Sequence, residues 1–210
     1  MPTSRSSKAS LASRPTLNIA ASDAIVHFQS VTLIDAPVQE VWDALVDTST
    51  WPSWNRFVPR VTIRQQPASD SPSNPSPVLE AGTRMTFHVN MKPTSPQPQP
   101  DTDTMLMVAE RDAPSASKKL GRIVWVNDAA AQGRVLASLL TAERVHEVSE
   151  VEVQDEEGHV KRVTEVRNWE AQIGVLAYVV RWMLGARLDE CFDLWVQDLK
   201  EYVEKTGARG

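Results

Sequence analysis

From Gly174 to about Lys205 the chain carries one unbroken helical pattern. Leu184, Leu188, Cys191, Trp195, Leu199 and Tyr202 follow helical spacing, with Glu190, Asp193, Lys200 and Glu204 largely outside the stripe. About thirty helical residues reach roughly 45 Å, and Gly185 is the expected place for a bend. Most of what precedes this helix reads as β-structure. A sheet with one apolar face must be covered, and the C-terminal helix is the one element long enough to cover it.

The strands are legible from their alternation. In "TRMTFHVNM" (83–91), Met85, Phe87, Val89 and Met91 face one way and Arg84, Thr86, His88 and Asn90 the other, as in a half-buried antiparallel strand. Further strands are expected over 24–35, 58–65, 104–111, 121–127, 143–154 and 160–172, the last two joined by a hairpin turn at 155–158. Asp35-Ala36-Pro37 reads as a helix start, with the aspartate as cap, and that helix runs to about Asp47. A second short helix is expected from Trp51 to about Phe57, and a helical turn near 134–140. The Pro/Ser-rich segments 67–77 and 93–103 cannot supply ladder hydrogen bonds, so they read as loops within one domain spanning 23–206.

Composition narrows the function classes. The net charge of −5 and the absence of a basic stripe argue against nucleic acid. One cysteine, Cys191, excludes an intramolecular disulfide or a cysteine-based metal cage; its place on the helix stripe reads as a small buried hydrophobe. That usage fits a reducing, cytoplasmic compartment. No apolar run approaches the roughly 18 residues of an integral membrane segment. "VLAYVVRWMLG" (175–185) is the greasiest stretch, but it is short and contains Arg181. Residues 1–22, with Arg5, Lys8, Arg14, many serines and no acid before Asp23, read as a disordered tail, with a mitochondrial transit peptide as the alternative. The four histidines lack metal-ligand spacing, and no G-x-G or G-x-S-x-G motif occurs, so neither a metal nor a cofactor is expected.

The corner after the first helix carries a resemblance. "Ile34-x-Ala36-Pro37-x-x-x-Val41-Trp42-x-x-x-x-Asp47" followed by "Trp51-Pro52-x-Trp54-Asn55-x-Phe57-Val58" resembles the start of the START-like (SRPBCC) helix-grip proteins, which include polyketide cyclases, coenzyme Q-binding proteins and lipid carriers. "Glu80-x-Gly82-x-x-x-x-Phe87", "Arg122-x-x-Trp125" and "Trp169-Glu170-x-x-x-Gly174" continue it in order over roughly residues 25–205. The resemblance implies an α+β fold: a curved antiparallel sheet of about seven strands around the long C-terminal helix, with two short helices after strand 1. It also implies a cavity between sheet and helix for a hydrophobic, polyketide- or lipid-like molecule. A role of the polyketide cyclase or dehydratase type in metabolite biosynthesis would follow. A non-catalytic lipid or quinone carrier and a protein-binding, chaperone-cofactor-like module are the alternatives, since one fold hosts many functions.

Candidate residues follow from this frame. Trp54 and Phe57 sit where either a core or a ligand must be covered, and Phe87, Trp125, Asn168 and Met183 are the other expected ligand contacts. Arg144 and His146 share one face of their strand, and Val166, Asn168, Glu170 and Gln172 one face of the next. A hairpin would set Arg144 or His146 beside Glu170. On the cavity side, that carboxylate, imidazole and guanidinium would serve as base, proton shuttle and enolate stabiliser. On the convex side they would be an exposed charge pair, and the alternation alone leaves both faces open.

Overall fold

A computed structural model describes residues 13–67, 75–97, 101–154 and 158–208, except for the side chain of Arg134. Strand β1 (Val26–Ile34) leads into helix α1 (Val38–Val46), a 3-10 turn (Trp51–Ser53) and strands β2 (Arg60–Gln65), β3 (Arg84–Val89), β4 (Thr102–Asp112) and β5 (Leu120–Asn127). Helices α2 (Ala129–Gln132) and α3 (Arg134–Leu139) follow, then β6 (Thr141–Gln154), β7 (Val160–Ile173) and α4 (Val175–Gly207). The seven strands form one antiparallel sheet in the order β1-β7-β6-β5-β4-β3-β2. Register shifts at Ile63/Gln65 and Val108/Glu110 are bulges, which bend a sheet. The concave face holds α4, packed chiefly on β1 and β7. This is the helix-grip architecture expected from the sequence.

Local chemistry explains the departures. Pro37, not Asp35, occupies the cap position of α1 and makes no side-chain cap; Asp35 instead pairs with Lys161. The second short helix is a single 3-10 turn, because Trp54 leaves the helical region and Asn55 turns its Oδ1 onto the Val58 N–H (2.8 Å). β4 begins at Thr102, paired with Val89, so the second Pro-rich loop is shorter than expected. Of the two Pro/Ser-rich segments, 68–74 and 98–100 lie outside the described residues, as do 155–157 of the hairpin turn. α4 passes through Gly185 without interruption. Gly174, with φ of 100°, makes the corner from β7 into α4, and a Cβ there would lie 2.4 Å from the Leu139 carbonyl oxygen.

The end of the expected N-terminal tail, residues 13–22, is placed in the structure. Residues 1–12 lie outside the described residues, but the segment from Arg14 to Ile19 is seated on the convex face. There Glu143, buried in β6, accepts hydrogen bonds from Thr16 Oγ1 (2.6 Å) and from Asn18 N and Nδ2 (2.8 Å each). Trp169 donates its Nε1–H to the Pro15 carbonyl (3.2 Å), and the Arg14 and Arg122 guanidinium groups lie 5.5 and 5.7 Å from its ring. These are polar anchors around one small apolar cluster of Val124, Val145 and Trp169.

Candidate functional site

The apolar core on the concave face is solid at one end and hollow at the other. At the solid end Trp51 lies 5.0 Å from Trp195, 5.4 Å from Phe87 and 5.9 Å from Trp125, centroid to centroid. Most of these rings meet edge to face, the arrangement aromatic quadrupoles favour. Beyond them a cavity of about 290 Å³ remains between the sheet and the first half of α4. Phe57, Phe87 and Trp125 form its inner wall, and Val180, Leu184 and Leu188 of α4 its roof. Leu140 and Ala142 at the start of β6 complete the apolar lining on one side.

Arg144, Glu170 and Gln172 are the charged and amide groups in this lining that form one hydrogen-bonded unit. Arg144 and Glu170 are direct cross-strand partners in the β6–β7 hairpin. Arg144 donates Nε–H to Glu170 Oε2 (2.9 Å), and Gln172 Nε2 donates to Glu170 Oε1 (2.5 Å). Both charged side chains are only 12% exposed, so each needs the other. The guanidinium also lies 4.1 Å from the Phe192 ring centroid and 5.6 Å from that of Phe57, cation–π contacts that strengthen away from water. Among the described residues, Nε is the only part of this guanidinium with a hydrogen-bond acceptor. Arg144 therefore retains donors for a ligand oxygen.

Arg144 and Glu170 lie side by side, as the hairpin predicts, and on the concave face, one of the two faces the sequence left open; Phe57, Phe87 and Trp125 line the cavity. His146 is on the same face but is not part of the lining. It is fully buried behind Trp125, with ring centroids 4.4 Å from Trp125 and 5.3 Å from Trp195, and neither ring nitrogen has a hydrogen-bond partner among the described residues. Burial, and then the nearby Arg144 charge, hold its pKa well below the usual 6.5, so the ring is neutral. Asn168, its cross-strand partner, is likewise buried outside the lining.

Trp54 belongs to the solid end. It donates Nε1–H to Thr50 Oγ1 (3.1 Å) and stacks on Tyr202. Met183 is 65% exposed on the far side of α4, because the roof stripe of Val180, Leu184 and Leu188 passes it by. Gln172, Leu140, Val180 and Leu184 were missed. The signal for Gln172 was its position two residues beyond Glu170 on one strand face. Cys191 is buried, as its stripe position required, and burial pushes its thiol up to about 11, away from nucleophilic use.

Comparison with known proteins agrees with this geometry. The family of polyketide cyclase / dehydrase and lipid transport proteins matches residues 26–97. Over 190 residues the chain is 42% identical to the oxopyrrolidines biosynthesis cluster protein O of Penicillium oxalicum, covering 90% of this chain and 92% of that protein. The chain belongs to the same family as that fungal cluster protein. Among solved structures, a hypothetical protein from Helicobacter pylori shares the fold at 15% identity, with a TM-score of 0.59 over 85% of this chain and 88% of that one. A START superfamily protein from Mycobacterium smegmatis matches at 13% identity and a TM-score of 0.49, over 86% and 98% of the two chains.

Proposed function

We propose that the cavity holds a lipophilic biosynthetic intermediate with an enolisable carbonyl end, and that Arg144 and Glu170 promote its ring closure. The observation that carries this reading is the ion pair itself: two charged groups, hydrogen-bonded to each other and nearly buried, in a lining otherwise mostly apolar. Ligand sites have that composition, an apolar body with a few convergent polar groups. Glu170 would take a proton from the carbon between two carbonyls, and an Arg144 N–H would hold the enolate oxygen. The enolate carbon then bonds to a second carbonyl of the same chain, whose oxygen takes the proton back from Glu170 and becomes a hydroxyl; Glu170 next removes the second proton from that carbon and passes it to the departing hydroxyl, so water leaves and a C=C bond remains. The relative from Penicillium oxalicum is named for a cluster that makes oxopyrrolidines, which are cyclic carbonyl compounds, in keeping with a ring-closing role.

A carrier is the second reading. Both Glu170 oxygens already accept hydrogen bonds, and His146 has no hydrogen-bonded path to them. An experiment separates the two. Glu170→Gln should lower turnover of a β-keto acyl chain about 10²–10⁴-fold with ligand affinity roughly kept, the usual weight of one acid–base group. Product formation at the rate seen without protein, together with saturable tryptophan quenching by the same ligand, identifies a carrier. Absence of quenching by any lipophilic ligand refutes both.

A further inference from the structure

The first turns of α4 are apolar on two opposite sides. Val180 and Leu184 roof the cavity. On the other side Val175, Tyr178, Val179, Trp182 and Met183 recur at i, i+3, i+4, i+7 and i+8, and are 68%, 61%, 45%, 86% and 65% exposed. Spacing of that kind marks the face a helix hides from water. Here it is bare. α3 ends where α4 begins, at the Leu139–Gly174 contact, and adds exposed Val135, Leu136 and Leu139. So dense a group of exposed apolar side chains marks a surface that meets a partner.

Charge selects the occupant. Residues 129–142 and 171–188 contain no Asp or Glu but include Arg134, Arg181 and Arg187, in a chain of net charge −5. Arg181 and Arg187 are exposed on α4, and neither has an ion-pair partner among the described residues. The next residues, Asp189 and Glu190, end the apolar cationic stretch. A second copy set face to face would bring guanidinium groups together with no carboxylate between them, an unfavourable juxtaposition. Residues 1–12, "MPTSRSSKASLA", carry Arg5 and Lys8 and no acid, so they repeat the same sign and offer few apolar groups. An anionic lipid surface matches both the charge and the Trp/Tyr-rich stripe, since such rings favour the headgroup boundary.

We propose that this face of α3 and α4 docks on anionic phospholipid bilayers. Trp182, Val179 and Met183 enter the headgroup–acyl boundary, and Arg181 and Arg187 meet lipid phosphates and carboxylates. The stripe is about 12 Å long and lies along the surface; among the described residues no helix is long and apolar enough to cross a membrane. Docking brings the helix that roofs the cavity to the bilayer, so a lipophilic ligand passes between them with little exposure to water. Neither the docking nor its test depends on the chemistry assigned to Arg144 and Glu170.

Sedimentation of the full chain with phosphatidylcholine vesicles, with and without phosphatidylserine, tests the proposal. Binding should require phosphatidylserine and fall about five-fold with Arg181→Gln, the usual weight of one cation near such a surface. The pair Val179→Gln and Trp182→Gln should lower binding at least about ten-fold, through lost apolar burial. Both sites are exposed, so cooperative unfolding and ligand quenching should be retained by the double variant, which separates lost docking from lost folding or lost ligand binding. Failure to sediment with either vesicle overturns the proposal, as does undiminished binding by the double variant or binding that ignores phosphatidylserine. A dimer in solution that Trp182→Gln dissociates, without vesicle binding, assigns the face to a second copy instead.

Discussion

Trp195 and Leu184 belong to one helix and face the same sheet, yet their surroundings are opposite. Trp195 is fully buried, 5.0 Å from Trp51, 5.7 Å from Trp54 and 5.8 Å from Trp125 by ring centroid. Leu184 borders about 290 Å³ of space, and its companions Val180, Leu188 and Ala142 are too short to fill it. Apolar atoms beside a void forfeit dispersion contacts, and cavities in cores typically cost about 24 cal/mol per Å³. The hollow end is therefore a standing cost, and the aromatic end offsets it. Stability is concentrated at one end of the helix and the space for a ligand at the other.

The strongest way to break this division is Trp195→Ala. With five aromatic rings around it and no exposure, the substitution should cost about 3–5 kcal/mol, against a total stability of only about 5–15. Denaturant unfolding measures it. An unchanged midpoint would mean that the rings around Trp195 do not anchor the helix.

The two ends also differ in how openly the sequence announced them. The strand over 83–91 and the buried half of α4 could be read because one face of each is apolar and the other polar, so periodicity fixed both type and facing; for the last two strands it fixed the type alone. The Arg144–Glu170 pair could be read because a hairpin places such residues side by side; its facing came only with the structure. Met183 could not be placed, since residues 175–185 are apolar on both sides of the helix and periodicity has no phase there. Trp54 was ambiguous for a related reason: an aromatic ring at a corner suits a cavity wall and a packed core equally. The seating of residues 14–19 left no periodic signal, because hydrogen bonds to Glu143 and Trp169 fix it more than an apolar pattern does.

His146 stands at the boundary between the ends, between Trp125 and Trp195, and gives the next largest effect. Its pKa in the folded chain lies well below 6.5, whereas in the unfolded chain it has its ordinary value. Above about pH 6.5 the ring is neutral in both states and contributes no pH dependence. As pH falls below that value the unfolded chain takes up the proton first, so stability declines by at most about 1.4 kcal/mol per pH unit until the folded pKa is reached. His27, also shifted downward by burial, adds a slope of the same sign. Stability measured between about pH 6.5 and 5 should fall less steeply in His146→Phe, which suits the aromatic surroundings. The same slope in both proteins would mean that the His146 ring is open to protonation in the folded state.

The smallest effect on stability is expected at the hollow end, and it sharpens the comparison most. Ala142 lines the cavity from β6, opposite Gln172 in the ladder. Ala142→Leu adds three carbons where there is space for them, so the usual overpacking penalty does not apply. Stability should change by no more than about 1 kcal/mol, in either direction. A ligand that needs the same volume should lose affinity by about ten-fold or more, because it must displace a side chain or bind with its apolar body partly in water. Thermal unfolding and tryptophan quenching, measured on one preparation, read the two effects separately. A destabilisation as large as that of Trp195→Ala would show that the two ends are packed alike, and unchanged ligand affinity would place the binding site elsewhere.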